Sequence, residues 1–195
     1  MGLIEVLVKQ SGNPSGHLGR IMVKIMNLMD SGLNKWVVEK INQPDGVALE
    51  IGCGGGETML TLLKDHRLQH ITGIDYSKAS LNVAKKKNQA FIRQNKADLL
   101  LGNVTALPFP DNSFNIIFAV RSHYFWDDLD GSFSEIYRTL KQGGTMIILS
   151  EQYKIQYHMK KYNTDASMTQ LLAAVGFQNI YIENKATLQC ITAEK

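Results

Sequence analysis

Cysteine is nearly absent from this chain: Cys53 and Cys190 are the only two in 195 residues. Two cannot build a disulfide framework, so both read as reduced thiols of a cytoplasmic protein. Long hydrophobic runs are also missing. None approaches the roughly 20 residues that a bilayer-spanning helix needs. The N-terminus shows no basic stretch followed by an apolar core, so no signal peptide is expected. Charge of one sign is scarce. A net charge of +3 is too small to predict nucleic acid as a partner. No internal repeat, low-complexity segment or metal-ligand spacing is visible, so no metal site is expected. With 44% hydrophobic and 20% charged residues, the composition is that of an ordinary globule able to bury a full core.

Glycine, by contrast, is concentrated in one place. The apolar run Val47 to Ile51 leads directly into Gly52-Cys53-Gly54-Gly55-Gly56, and a helical pattern follows. This reads as strand, tight turn, helix, with glycines that permit positive φ and close approach of a ligand. Glu50 lies near the end of the run. A second apolar run ends in another acid, at Ile74-Asp75. Two neighbouring strands ending in a glycine turn and in an acid form a nucleoside site. The turn holds one end of the ligand and the acid takes the ribose hydroxyls.

Two common nucleotide motifs do not fit. A dinucleotide fingerprint would need glycine at position 57, where Glu57 would repel a pyrophosphate. A P-loop would need lysine in Gly56-Glu57-Thr58. The turn therefore suits a nucleoside without phosphates, and S-adenosylmethionine has that chemistry.

Four ordered segments carry a family likeness. Leu49-Glu-Ile-Gly-Cys-Gly-Gly-Gly56 resembles the first motif of class I S-adenosylmethionine-dependent methyltransferases, and Gly73-Ile-Asp-Tyr-Ser77 resembles the second. Leu101 to Phe114 is similar to the third, and Leu140-Lys-Gln-Gly-Gly144 to the fourth. Met168 to Ile180 resembles the family's last helix and following strand. The likeness covers roughly residues 46–195, and within the family it points to the small-molecule group often labelled ubiquinone/menaquinone-biosynthesis-like.

The pattern of the chain predicts an α/β, three-layer Rossmann-like fold. Strands are expected at 47–51, 70–75, 97–102, 114–120, 145–150, 177–183 and 186–193. Helices are expected at 57–65, 77–94, 129–140 and 165–175, with Ser77 as a cap. Alternation implies a mostly parallel sheet. The closing pair, separated by Asn184-Lys185, is expected to be a hairpin with one antiparallel strand. Residues 1–45 are expected to form an N-terminal helical cap or lid, with helices at 21–29 and 33–41. Residues 46–195 form the S-adenosylmethionine-binding domain.

The resemblance assigns roles to matching positions. It implies that Gly52, Cys53 and Gly54 face the methionine part of the cofactor, that Glu50 orients that part, and that Asp75 accepts from both ribose hydroxyls. Tyr76 lies against the adenine or is ordinary packing. Asn103 stands where many relatives have an acid, and its carbonyl can accept from the adenine amino group, beside the Val104 amide. Backbone near Val120 and Arg121 is implied to hold the methionine amino group. In Val120-Arg-Ser-His-Tyr-Phe-Trp126, His123 is a general base or a satisfied loop histidine. Tyr124 and Trp126 line an acceptor pocket or wedge the next helix onto the sheet.

Two further stretches are candidate substrate contacts. One is Pro14 to Gly19 with His17, read as a lid. The other is Gln152 to Tyr162, where Tyr153 stands among lysines and tyrosines. The latter binds an anionic acceptor or a nucleic acid, or is a solvated connector, and the small net charge favours the connector.

The sequence lacks the Asn/Asp-Pro-Pro-aromatic motif of DNA amino-methyltransferases, the Pro-Cys loop of pyrimidine C5 enzymes and the spaced cysteines of arsenite methyltransferases. The expectation is methyl transfer to O, N or C of a small-molecule acceptor by a monomer or homodimer. The rival readings are a nucleic-acid or protein methyltransferase, a non-catalytic cofactor-binding module, and an enzyme using the same cofactor for other chemistry.

Overall fold

The computed structural model describes residues 31–41 and 46–195. Helix α1 (Ser31–Lys40) precedes β1 (Val47–Ile51), α2 (Glu57–Lys64) and β2 (His70–Asp75). Helices α3 (Lys78–Lys87) and α4 (Gln89–Arg93) lead to β3 (Ala97–Leu101). Strand β4 (Phe114–Val120) is followed by a 3-10 turn (His123–Phe125), α5 (Leu129–Thr139) and β5 (Leu140–Glu151). The chain ends with α6 (Gln152–His158), α7 (Asp165–Val175), β6 (Gln178–Lys185) and β7 (Leu188–Glu194).

The seven strands form one sheet in the order β3-β2-β1-β4-β5-β7-β6. All pairings from β3 to β5 are parallel, and β7 is antiparallel to both neighbours. The expected fold is the observed one. Side chains alternate across the central strands. Ile116, Phe118 and Val120 of β4 join one buried cluster with Trp36, Met59 and Leu62, while Ile117 and Ala119 join the other with Phe133, Ile136 and Leu172. Period-two alternation with apolar residues on both faces is what a sheet covered by helices on each side requires. The order of the strands reverses between β1 and β4, so a crevice opens at their carboxyl ends.

Helix α1 confirms the helix expected over 33–41. It buries Trp36 and Val37, with Ile41 just beyond its end, and Lys40 reaches Glu183 at 2.5 Å. The helix expected at 21–29, the turn at 44–45 and His17 lie outside the described residues.

Four boundaries differ from the pattern reading. The helix expected over 77–94 breaks at Asn88, whose amide donates both to Ala84 O and to Gly56 O (3.1 and 2.9 Å). Strand β5 starts at Leu140, not after Gly143-Gly144. Those glycines form a bulge within the strand: Phe114 pairs with Leu140, but Ile116 pairs with Thr145. The stretch 151–163 is more than a connector, because α6 occupies its first half. Ile155 and the following Met159 are buried in the core, and that burial holds the helix in place. The hairpin turn falls at Ala186-Thr187, with Ala186 at φ 53, so Asn184-Lys185 belong to β6.

Candidate active site

The turn after β1 is shaped by three glycines at positive φ: Gly52 at 70°, Gly54 at 52° and Gly56 at 71°. Each has a different neighbourhood. The amides of Gly52 and Cys53 both donate to Ile74 O (2.8 and 3.2 Å), which ties the turn to the end of β2. A Cβ on Gly52 would lie 2.5 Å from the Cβ of Ser122, whose hydroxyl donates to Ile51 O at 2.8 Å. This contact locks the end of β4 against the end of β1. A Cβ on Gly56 would meet the Asn88 amide at 2.5 Å. Beside Gly54 there is open space, with nothing within 4 Å. The turn is therefore packed at both ends and open in the middle, as a ligand cradle must be.

Asp75 ends β2 at the side of this turn. One carboxylate oxygen accepts from the Gly54 amide and the other from the Ser77 amide, both at 2.8 Å. Burial raises its pKa and the two amide bonds oppose the rise. Each oxygen retains acceptor capacity for a further donor. Asp75 also orders the turn itself, a task the sequence did not reveal. Ser77 caps α3 as expected, accepting from Ser80 N at 3.3 Å.

Glu50 lies under the turn, 2% exposed. Burial pushes its pKa up to about 8, against hydrogen bonds from the Thr58 side chain and the Met59 backbone. Its Oε2 has no hydrogen-bond partner. A buried carboxylate with an orphaned oxygen beneath an open turn fits the polar end of a bound cofactor. Its folded-state pKa is raised, so its stabilising contribution is complete below the unfolded value near 4.5 and fades as pH rises toward 8. Glu50→Gln should therefore flatten the decline in cofactor-free stability between pH 5 and 8, measured by urea titration across that range. An unchanged slope would refute the assignment.

Other predicted cofactor contacts surround this centre. Cys53 offers backbone only. Its sulfur points inward, where a Cβ on Gly73 would approach it to 2.9 Å, and burial holds the thiol protonated. Tyr76 is 49% exposed just past Asp75, free to cover a flat ligand. Asn103 uses its side-chain oxygen to accept from Thr105 N at 3.2 Å, so it shapes its own turn. Val104 is buried beside it.

The carboxyl end of β4 departs further from the sequence reading. Arg121 adopts φ 58, and its amide donates to Leu149 O at 2.8 Å. Its guanidinium turns to the Glu151 carboxylate at 2.7 Å. His123 is 1% exposed, and its Nδ1 lies 2.9 Å from Ser150 Oγ. Burial lowers its pKa to about 3, so the ring stays neutral. Tyr124 is buried with an unpartnered hydroxyl and stacks on His158 at 5.5 Å. Trp126 packs edge-on against Phe133 of α5 at 5.7 Å, which favours the wedge reading for that residue. Tyr153 is 61% exposed. Sequence reasoning missed Ser122, Ser150, Glu151 and the stacking of His158. One signal was present: Ser150-Glu151 closes an apolar run with a polar pair, as Glu50 and Asp75 do in their strands.

A family model described as "Methyltransferase domain" matches residues 49–148, from the end of β1 into β5. The chain belongs to this family. The methyltransferase is 28% identical over 179 residues to an uncharacterised methyltransferase of Bacillus subtilis, YdaC, covering 88% of this chain and 96% of that one. It is 34% identical over 122 residues to the demethylmenaquinone methyltransferase of Symbiobacterium thermophilum, covering 59% of this chain but only 48% of that protein. In fold it is similar to Haemonchus contortus phosphoethanolamine N-methyltransferase 2 in complex with S-adenosyl-L-methionine, with a TM-score of 0.73 and 18% identity over 85% of this chain and 52% of that one. The protein is a class I S-adenosylmethionine-dependent methyltransferase, and S-adenosylmethionine is its cofactor. Among the described residues, no three His, Cys, Asp or Glu side chains are grouped to hold a metal ion, and no helix is long and apolar enough to cross a membrane.

Proposed function

We propose that this methyltransferase acts on a small-molecule acceptor bound at the carboxyl ends of β4 and β5. The cofactor supplies a methyl group already activated on a sulfonium. The protein's task is then to align an acceptor lone pair with it, an effect worth up to about 7–11 kcal/mol. In this reading Gly52, Cys53 and Gly54 hold the methionine end through backbone, with the carbonyls near Val120 and Arg121. Glu50 orients that end, Asp75 takes the ribose, and Tyr76, Asn103 and Val104 frame the adenine. His123, neutral and held by Ser150, positions the 3-10 turn rather than taking a proton.

The observation that carries a small acceptor is the pairing of charge beside the site. A nucleic-acid enzyme needs a track of open cations. Here Arg121 and Lys154 converge on Glu151 at 2.7 and 3.4 Å, and Lys161 faces Asp130 at 3.9 Å. These pairs spend the basic character of the stretch on neighbouring acids. The aromatic groups Tyr124, Phe125 and His158 gather in their place. The demethylmenaquinone methyltransferase relative, by its name, also acts on a small molecule.

The test is transfer of labelled methyl to three separate pools: a protein-free and RNA-free metabolite extract, purified tRNA, and denatured protein. Label is expected in the metabolite pool. Label in tRNA or protein, with none in metabolites, would overturn the proposal.

A further inference from the structure

Among the buried polar side-chain atoms of the described residues that have no hydrogen-bond partner are Glu151 Oε2, Tyr124 Oη and His123 Nε2. Their residues are 7%, 5% and 1% exposed. Buried polar atoms without partners are uncommon in folded proteins and mark places where something else binds. The first two share an environment. Helix α6 starts immediately after Glu151 and lays Lys154 over the Tyr124 ring at 5.6 Å and His158 parallel to it at 5.5 Å. Phe125 meets both rings edge-on, at 4.6 Å from Tyr124 and 4.9 Å from His158. Lys154 links Glu151 and Tyr124: its ammonium lies 3.4 Å from Glu151 Oε1 and 5.6 Å from the centre of the Tyr124 ring.

The chemistry of these atoms is complementary. Glu151 Oε1 is shared by Arg121 and Lys154 at 2.7 and 3.4 Å, and an ionised Oε2 can only accept. The Tyr124 hydroxyl can donate. The matching ligand therefore donates to one and accepts from the other. A single hydroxyl does both. An alkylammonium has three donors and no acceptor, so it would leave the tyrosine hydroxyl unmatched, and it would sit beside two cations. A flat ring carrying the hydroxyl would suit the aromatic walls.

We propose that Glu151 and Tyr124 form the acceptor subsite and that the acceptor is an aromatic molecule recognised through a ring hydroxyl. The inference rests on the small-molecule reading above and narrows its substrate class. Strand geometry is consistent with this placement. Leu149 of β5 is level with Val120 of β4, and Glu151 follows two residues later, on the rim where β4 delivers its own loop. Two strand spacings separate β5 from β1, about 10 Å.

The test uses the full chain saturated with S-adenosylhomocysteine, which cannot react. Calorimetry would compare 1-naphthol, 1-methoxynaphthalene and 1-naphthylamine. The naphthol should bind at least about tenfold more tightly than either analogue, since each leaves one buried group unmatched. Tyr124→Phe should weaken both naphthol and its methyl ether about tenfold, because both accept from the tyrosine hydroxyl, whereas Glu151→Gln should weaken naphthol about tenfold and leave the methoxy compound unchanged. Both variants should retain wild-type affinity for S-adenosylhomocysteine. Tyr124→Phe removes only an oxygen, so it remains informative if Glu151→Gln disturbs the Arg121 pair. Three results would each overturn the assignment: equal binding of naphthol and its methyl ether, preference for the amine, or no binding of any probe to the loaded wild type. Failure of the wild type to bind S-adenosylhomocysteine would instead count against the cofactor site and be seen before any probe is added.

Discussion

Asp75→Ala should reduce affinity for S-adenosylmethionine at least about a hundredfold. Two ribose hydrogen bonds to a carboxylate contribute roughly 1.5–3 kcal/mol each, and each 1.4 kcal/mol is a factor of ten. The structure adds a second loss. The same carboxylate holds the amides of Gly54 and Ser77, both at 2.8 Å, so the variant also frees the middle of the glycine turn. Asp75→Asn separates the two effects. Its amide keeps the shape and one acceptor oxygen but presents donors where Gly54 N or Ser77 N already donates. It should fall between wild type and alanine in cofactor affinity and should also lower thermal stability. Calorimetry with S-adenosylmethionine and S-adenosylhomocysteine, run beside thermal melts of the cofactor-free proteins, checks both. Wild-type affinity in Asp75→Ala would remove the ribose role.

The glycines of the turn should divide sharply. Gly52→Ala combines a left-handed backbone at φ 70 with a Cβ 2.5 Å from that of Ser122. Left-handed strain of about 1–2 kcal/mol and overpacking of about 1–3 kcal/mol add to roughly 2–5 kcal/mol lost. At roughly 2–4 °C per kcal/mol for a chain of this size, the melting temperature should drop by several degrees or more. Gly54→Ala carries the strain at φ 52 but meets no atom within 4 Å. Its melting temperature should fall by only a few degrees. Its cofactor affinity should nevertheless fall about tenfold or more, because the new methyl group enters the open cradle, where even a fit loosened by 1.4 kcal/mol costs a factor of ten. A Gly54→Ala protein that melts normally and binds the cofactor normally would show that the open space is not the cofactor's.

How much of this was legible beforehand differs from element to element. The glycine turn, Glu50 and Asp75 could be read because each depends on a short run of chain. An apolar strand must end somewhere, and the residue at its carboxyl end is placed by period and turn chemistry alone. The antiparallel seventh strand followed from the short separation of the last two apolar runs and is present. Boundaries set by contacts between distant residues were not legible. The break at Asn88 exists because its side chain reaches back to Gly56, 32 residues earlier. The bulge at Gly143-Gly144 fits five residues of β5 against two of β4, and no local signal announces it.

The same division runs through the site. Sequence by itself determined the fold class, the glycine turn after β1 and the acid that ends β2 beside it, because those are properties of strand ends and of glycine's backbone freedom. Only the tertiary structure decided what the loop after β4 does. His123 appeared there as a candidate base, and the fold buries it against Ser150 and holds it neutral. Arg121 entered the sequence reading for its backbone alone, and the fold brings its guanidinium, together with the Lys154 ammonium, to Glu151. Protonation and pairing depend on burial and on which strand lies alongside, and both are set by the order β1-β4-β5 across the sheet rather than by the order of residues in the chain.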